Sequence, residues 1–156
     1  MTPRRQSLLV AHGALVFLVG MLAGFPFAFI LLGKVALWPF PGTADLTPPG
    51  DVRGWRMAHL EGILNGLTLI GVGAIGNRLR LGERAQRIVT GALIVTAWGN
   101  IIASVIGPVF EGRGLEFTDG PANRVMYLLF VAAVVAVIVA MWLVFRGARR
   151  AAAEVA

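Results

Sequence analysis

The sequence predicts an all-α integral membrane protein, a bundle of four transmembrane helices in a single membrane domain spanning residues 1–156. Three observations predict it. The chain is 57% hydrophobic and only 14% charged, against about 25% charged in an ordinary soluble domain. Its apolar residues fall in four blocks, at residues 7–33, 55–77, 88–110 and 125–145, each long enough to cross a bilayer. Its formal charges gather between and beyond those blocks. This composition excludes a conventional soluble enzyme and a disordered chain alike. The absence of cysteine removes disulfide scaffolds, CxxC redox sites, iron–sulfur clusters and covalently attached haem. A net charge of +6 suits nucleic acid only when it forms one basic face. Here it is split among block ends, so membrane lipid, and no nucleic acid, is the expected partner.

The first block holds no formal charge, and His12 is its polar landmark. As a helix it reaches about 40 Å, beyond a ~30 Å hydrocarbon core, so it is expected to tilt or to kink at Pro26. It is too long for the apolar part of a signal peptide. The second block opens with Arg56, His59 and Glu61 and then turns apolar. The third is free of formal charge. The fourth is mostly Val, Ala, Leu and Ile, a strand-like composition whose length and lack of turns argue for a helix in lipid.

Charge placement predicts topology. Four spans put both termini on one side. That side holds Arg4, Arg5, Arg78, Arg80, Arg84, Arg87, Arg146, Arg149 and Arg150, nine of the 14 Lys and Arg. The positive-inside rule therefore places both termini in the cytoplasm, with the protein in the inner (plasma) membrane. The opposite side carries Asp45, Asp51, Glu61, Glu111, Glu116 and Asp119. Its loops, residues 34–54 and 111–124, are rich in Pro and Gly and read as turns. Trp38, Trp55 and Trp142 fall near block ends, as interface anchors do. Gly20 with Gly24, Gly62 with Gly66, and Ala132, Ala136 and Ala140 form small-residue faces suited to close helix packing within or between subunits.

A few polar residues stand where lipid-facing residues are expected. His59 lies about one turn inside the second helix. A neutral imidazole there can ligate haem iron, or it can hydrogen-bond to another helix or a headgroup. His12 is the other histidine of the two, which makes a three-His zinc site or a His-rich di-metal site a poor fit. It lies near the opposite membrane face, suited to a helix end, lipid or a cofactor edge. Asn65 is six residues beyond His59, about 9 Å along the helix and about 120° around it. The two suit one broad cofactor, or two related pockets between subunits, better than one small metal. Glu61 either sits at the interface near Arg56 or His59, or helps orient a ligand. Thr96, Asn100 and Ser104 share a face of the third helix at i,i+4 spacing, and a mid-membrane Asn demands an internal partner. That face reads either as packing or as a substrate or cofactor pocket. There is no P-loop, HExxH, nucleophile elbow or dinucleotide fingerprint.

The segment WRMAHLEGILNG, residues 55–66, resembles the second membrane helix of the styrene oxide isomerase family, which groups with membrane mutases of hydroxylaminobenzene. AHG at residues 11–13, RGLEF at 113–117 and TAWGNIIAS at 96–104 fit the same pattern. The resemblance covers most of the chain. It implies a trimer with haem b between subunits, His59 as the axial ligand and metal-binding residue, and Asn65 of a neighbour on the other side of the cofactor. It implies a redox-neutral isomerisation in which ferric iron is a Lewis acid toward a small aromatic epoxide, giving an aldehyde, or toward an N-aryl hydroxylamine, giving an aminophenol. His12 and Glu61 then count as cofactor contacts, and Asn65, Asn100 and Ser104 as catalytic candidates. The family's tyrosine falls on Ser104 and a third-helix aspartate on Thr96, a departure that brings the hydroxylamine branch level with the epoxide branch. The alternatives are a non-catalytic haem-binding or sensory membrane protein and a small-molecule transporter component.

Overall fold

Apolar side chains hold the helices in lipid, but caps and backbone chemistry set where the helices stop. The computed structural model describes residues 1–118 and 120–154; Asp119, one of the acidic residues assigned to the outer side, lies outside them. Four helices follow in order: α1 (Pro3–Leu32), α2 (Val52–Ile75), α3 (Glu83–Val109) and α4 (Pro121–Ala153). Each is long and apolar enough to cross a membrane, which fits a multi-pass inner-membrane protein. At their N-terminal ends, and at the C-terminal end of α4, the helices run past their apolar blocks because polar flanks continue the backbone bonding into the interface. α1 passes through Pro26 without a break and ends where Gly33 takes φ 67°, a left-handed conformation that glycine adopts freely. Asp51 caps α2, its Oδ1 accepting from the Gly54 N–H at 2.6 Å. Pro121 opens α4, at a position where no helical N–H bond is lost.

α1 packs chiefly on α2 and α3 on α4, while α2 and α3 join the two pairs. Leu9, Val16, Leu69, Val89, Leu93 and Ile101 fill the shared core. The seam between α1 and α2 is made by glycine. A Cβ on Gly20 would lie 2.7 Å from Gly62 Cα, and one on Gly13 would lie 2.8 Å from Gly66 O. These backbones touch because side chains are missing. On α4 the buried small residues are Ala133 and Ala140, whereas Ala132 faces outward. Of the small-residue face expected at residues 132, 136 and 140, the bundle buries Ala140, half-buries Ala136 and leaves Ala132 outward. Gly99 sets the true face, since a Cβ there would meet Leu129 O and the Ala133 Cβ.

The amino terminus reaches Gly76 O, Thr2 and Arg5 bond Gln86, and Arg80 pairs with Glu154. The termini and the 76–87 connection thus share one end of the bundle, with the nine arginines named above. The connection between α1 and α2 carries a short antiparallel hairpin, β1 (Lys34–Ala36) with β2 (Thr43–Asp45), pairing Val35 with Ala44. The proline-rich sequence reads as turns and hides this pairing. Trp38 at its tip is 87% exposed, and Trp142 is also exposed. Trp55 departs from the expected interface anchor. It is buried, with its indole N–H donating to Pro49 O at 2.7 Å, so it fastens the loop to the start of α2.

Candidate functional site

Helix geometry distributes the polar residues over two flanks of α2. The buried stripe of Ala58, Gly62, Gly66, Leu69 and Gly73 faces the neighbouring helices. His59 stands on the α1 side of that stripe and Asn65 on the α3 side. His59 is half-buried, and its Nδ1 lies 2.9 Å from Gly20 O. A carbonyl oxygen only accepts, so Nδ1 carries the hydrogen, and in the neutral ring Nε2 keeps its lone pair. Glycine is needed on α1 for this approach: a Cβ at Gly24 would sit 2.9 Å from His59 Nδ1. Phe27 covers the ring, with centroids 6.2 Å apart.

Asn65, on the other flank, joins Glu61 and Asn100. Its Nδ2 donates to Glu61 O at 2.9 Å and to Glu61 Oε2 at 2.7 Å. Its Oδ1 accepts from Asn100 Nδ2 at 3.4 Å. All three side chains are half-buried, so these bonds satisfy groups that lipid could not. Glu61 turns to Asn65 rather than to Arg56 or His59.

The remaining candidates have different surroundings. His12 Nδ1 accepts from the Trp98 indole N–H at 3.1 Å, the rings meeting edge to face. His59 is level with Gly24 on α1, so His12, twelve residues earlier, lies about 18 Å away along the helix. Within one chain the two imidazoles do not share an iron. Of the α3 stripe, Thr96 is buried and donates to Ala92 O and Ala133 O, tying α3 to α4. Ser104 is buried to 4% exposure, and its Oγ has no hydrogen-bond partner among the described residues.

Ser104 lies in the wall of a cleft of about 370 Å³ at the hairpin end of the bundle. Gly54 and Met57 of α2, Pro108 of α3, Leu115 of the connecting loop, and Met126 and Phe130 of α4 line it, together with the charged residues Asp51, Arg53, Glu111 and Arg113. The size suits a small ligand. Sequence reasoning named Ser104 but not this cleft, because its walls come from segments about fifty residues apart that carry no shared motif. Ser104→Ala should leave the unfolding temperature unchanged or raise it, since it removes a buried hydroxyl that forms no bond. A calorimetric or fluorescence melt in detergent checks this; a clear fall would mean the hydroxyl is satisfied in the folded protein.

An imidazole bonded to a backbone carbonyl on one flank, paired amides on the other and a cleft at the hairpin end of the bundle now have a matching family. The chain matches the family model described as styrene oxide isomerase over residues 5–149. It belongs to the styrene oxide isomerase family. A styrene-oxide isomerase of Pseudomonas fluorescens is 25% identical over 137 residues, covering 85% of this chain and 80% of that relative. The match runs through all four helices. The chain is thus an enzyme of the styrene-oxide-isomerase type, and the resemblance read from WRMAHLEGILNG extends over most of the chain.

Proposed function

We propose that this family member is a haem-b-dependent, redox-neutral isomerase that acts on a small aromatic epoxide or an N-aryl hydroxylamine within the membrane. The observation that carries the reading is the His59 ring. Its Nδ1–H is committed to Gly20 O at 2.9 Å, and Nε2 has no hydrogen-bond partner among the described residues. An axial histidine of a metal centre has this arrangement, the second nitrogen holding the ring against a backbone carbonyl. No group of three or more His, Cys, Asp or Glu able to hold a metal ion occurs among the described residues. That rules against a cage of protein ligands, but haem brings four nitrogens of its own and asks the protein for one axial donor. His59 fits that requirement, and the Phe27 ring beside it suits a flat apolar cofactor.

Bound at His59, ferric haem b supplies a Lewis acid for the substrate's oxygen. The chain's own residues orient and protect. Asn65 and Asn100 offer amide groups that orient the substrate's oxygen or nitrogen and respond to charge developing there. The apolar part of the cleft wall beside Ser104, made by Met57, Leu115, Met126 and Phe130, would favour hydride migration over hydrolysis at the electron-poor carbon that forms as an epoxide opens. His12, with its ring occupied by Trp98, contributes at most an edge of the cofactor surface.

His59 and Asn65 lie on opposite flanks of α2, too far apart around the helix for one small ligand. The proposal places haem between subunits of a homotrimer, as the family resemblance implies: in a head-to-tail ring of three copies the His59 flank of one subunit would face the Asn65 flank of the next, closing with cyclic symmetry. The nine arginines at the end holding both termini support a cytoplasmic location for that end.

The visible spectrum of protein purified in mild detergent after haem-supplemented expression tests the cofactor, and product analysis tests the reaction. We expect a haem absorption band, with phenylacetaldehyde from styrene oxide or an aminophenol from phenylhydroxylamine. A colourless protein that converts neither compound would overturn the reading.

A further inference from the structure

Glu61 is a carboxylate inside a membrane-spanning helix, and no ion pair among the described residues involves it. Such a group is expensive in lipid unless it has a specific task. Its hydrogen bonds show what it holds. Asn65 Nδ2 lies against both Glu61 O and Glu61 Oε2, at 2.9 and 2.7 Å. The backbone carbonyl and the carboxylate only accept, so the atom between them is the NH2 end of the amide. Both N–H groups of Asn65 are therefore spent on Glu61. The amide oxygen points toward α3, where it accepts from Asn100 Nδ2 at 3.4 Å. Asn100 uses one N–H in that bond and keeps the other.

We infer that Glu61 is a positioning residue: it locks the Asn65 amide so that Asn65 presents only an acceptor, and the spare N–H of the amide pair belongs to Asn100. The inference deepens the proposed function, resting on its placement of Asn65 and Asn100 at the substrate. It assigns Asn100, not Asn65, the donor role toward the substrate's heteroatom, and it takes Glu61 away from the cofactor. Without the carboxylate, one Asn65 N–H is released and the amide can rotate. The acceptor for Asn100 is then lost, and Asn100 loses its orientation with it.

The test has two arms on the full-length protein in detergent. The first does not depend on turnover or haem. The chain has four asparagines, so asparagine side-chain 15N labelling gives few signals, and Asn65→Ala identifies the pair that belongs to Asn65. In Glu61→Leu the Asn65 NH2 signals should move toward the positions of a free amide, and the Asn100 signals should move with them. In Glu61→Gln, whose side-chain oxygen still accepts, they should stay near their original positions. Unmoved Asn65 signals in Glu61→Leu would overturn the inference.

The second arm is kinetic. Glu61→Leu should lower kcat about 10- to 100-fold with KM changed less than about twofold, the size expected of misplaced orienting groups. Glu61→Gln should recover most of that loss. In an Asn65→Ala background, Glu61→Leu should cost nothing further; an independent, additive loss would overturn the inference. Haem content should be retained in all these variants, because the His59 nitrogen that would hold the haem is untouched. A parent protein with no isomerase activity would count against the proposed function, and the amide signals would still judge Glu61.

Discussion

Replacing His59 with alanine removes the haem band of the purified protein and lowers isomerisation roughly 10²-fold or more. The expectation follows from the ligand count. Haem brings four nitrogen donors of its own, so on the proposed reading the protein would hold it through one His59 nitrogen and apolar contact. His12 cannot substitute. It is about 18 Å distant along the bundle and already accepts from Trp98. Added imidazole should restore part of the band to His59→Ala, because the space left by the ring accepts it. Gly24→Ala is the finer probe. Its new Cβ would lie 2.9 Å from His59 Nδ1 and 3.0 Å from Cε1, so the ring must shift by a few tenths of an ångström. The band should then move in position while haem content holds. A His59→Ala protein with an unchanged spectrum would place the axial ligand elsewhere.

Gly62→Val is expected to be the most damaging single change to the fold. A Cβ at Gly62 meets the Gly20 backbone directly and lies 3.1 Å from Ile101 Cδ1. A flexible side chain could move aside, but backbone cannot, so α1 and α2 must separate along their glycine seam. Overpacking of this kind costs about 1–3 kcal/mol, and more when nothing can relax. Because Gly20 O also holds His59, the same change should loosen the imidazole. Thermal unfolding in detergent should show a large drop in midpoint, accompanied by haem loss at lower temperature. Gly91→Ala is the control: a Cβ there meets nothing within 4 Å, and exchange of an exposed helical glycine for alanine should be neutral or stabilising by a few tenths of a kcal/mol. Equal effects from the two variants would mean that the Gly20–Gly62 contact does not hold the bundle together.

The two flanks of α2 show how much of the site could be read before any coordinates. A spacing of six residues on a helix already separates His59 from Asn65 by about 120°, and the bundle puts α1 against one and α3 against the other. The partners could not be read. Glu61 had Arg56 and His59 nearby in sequence, yet it bonds Asn65, because i and i+4 side chains lie one above the other on a helix. That signal was present in the spacing and was outweighed by the attraction between opposite charges. The meeting of Trp98 with His12 spans 86 positions and left no local trace. Thr96, Asn100 and Ser104 share a stripe, but one ties α3 to α4, one joins Asn65, and one stays unbonded beside a cleft.

Four apolar blocks and their arginine-bearing ends were sufficient to specify helices, their number and a shared end for the two termini. The reason is local: in lipid each backbone polar group must be satisfied within its own segment, so a long apolar run has little choice but helix. Which way each helix turns about its axis is not a local property. Lipid tails and protein interior are equally apolar, so hydrophobicity does not say which face goes inward, and close packing settles it instead. That is why Gly20 and Gly62 as a contact, Ala133 in place of Ala132 on the buried face, the burial of Trp55 and the His59 tautomer all emerged only from the assembled bundle.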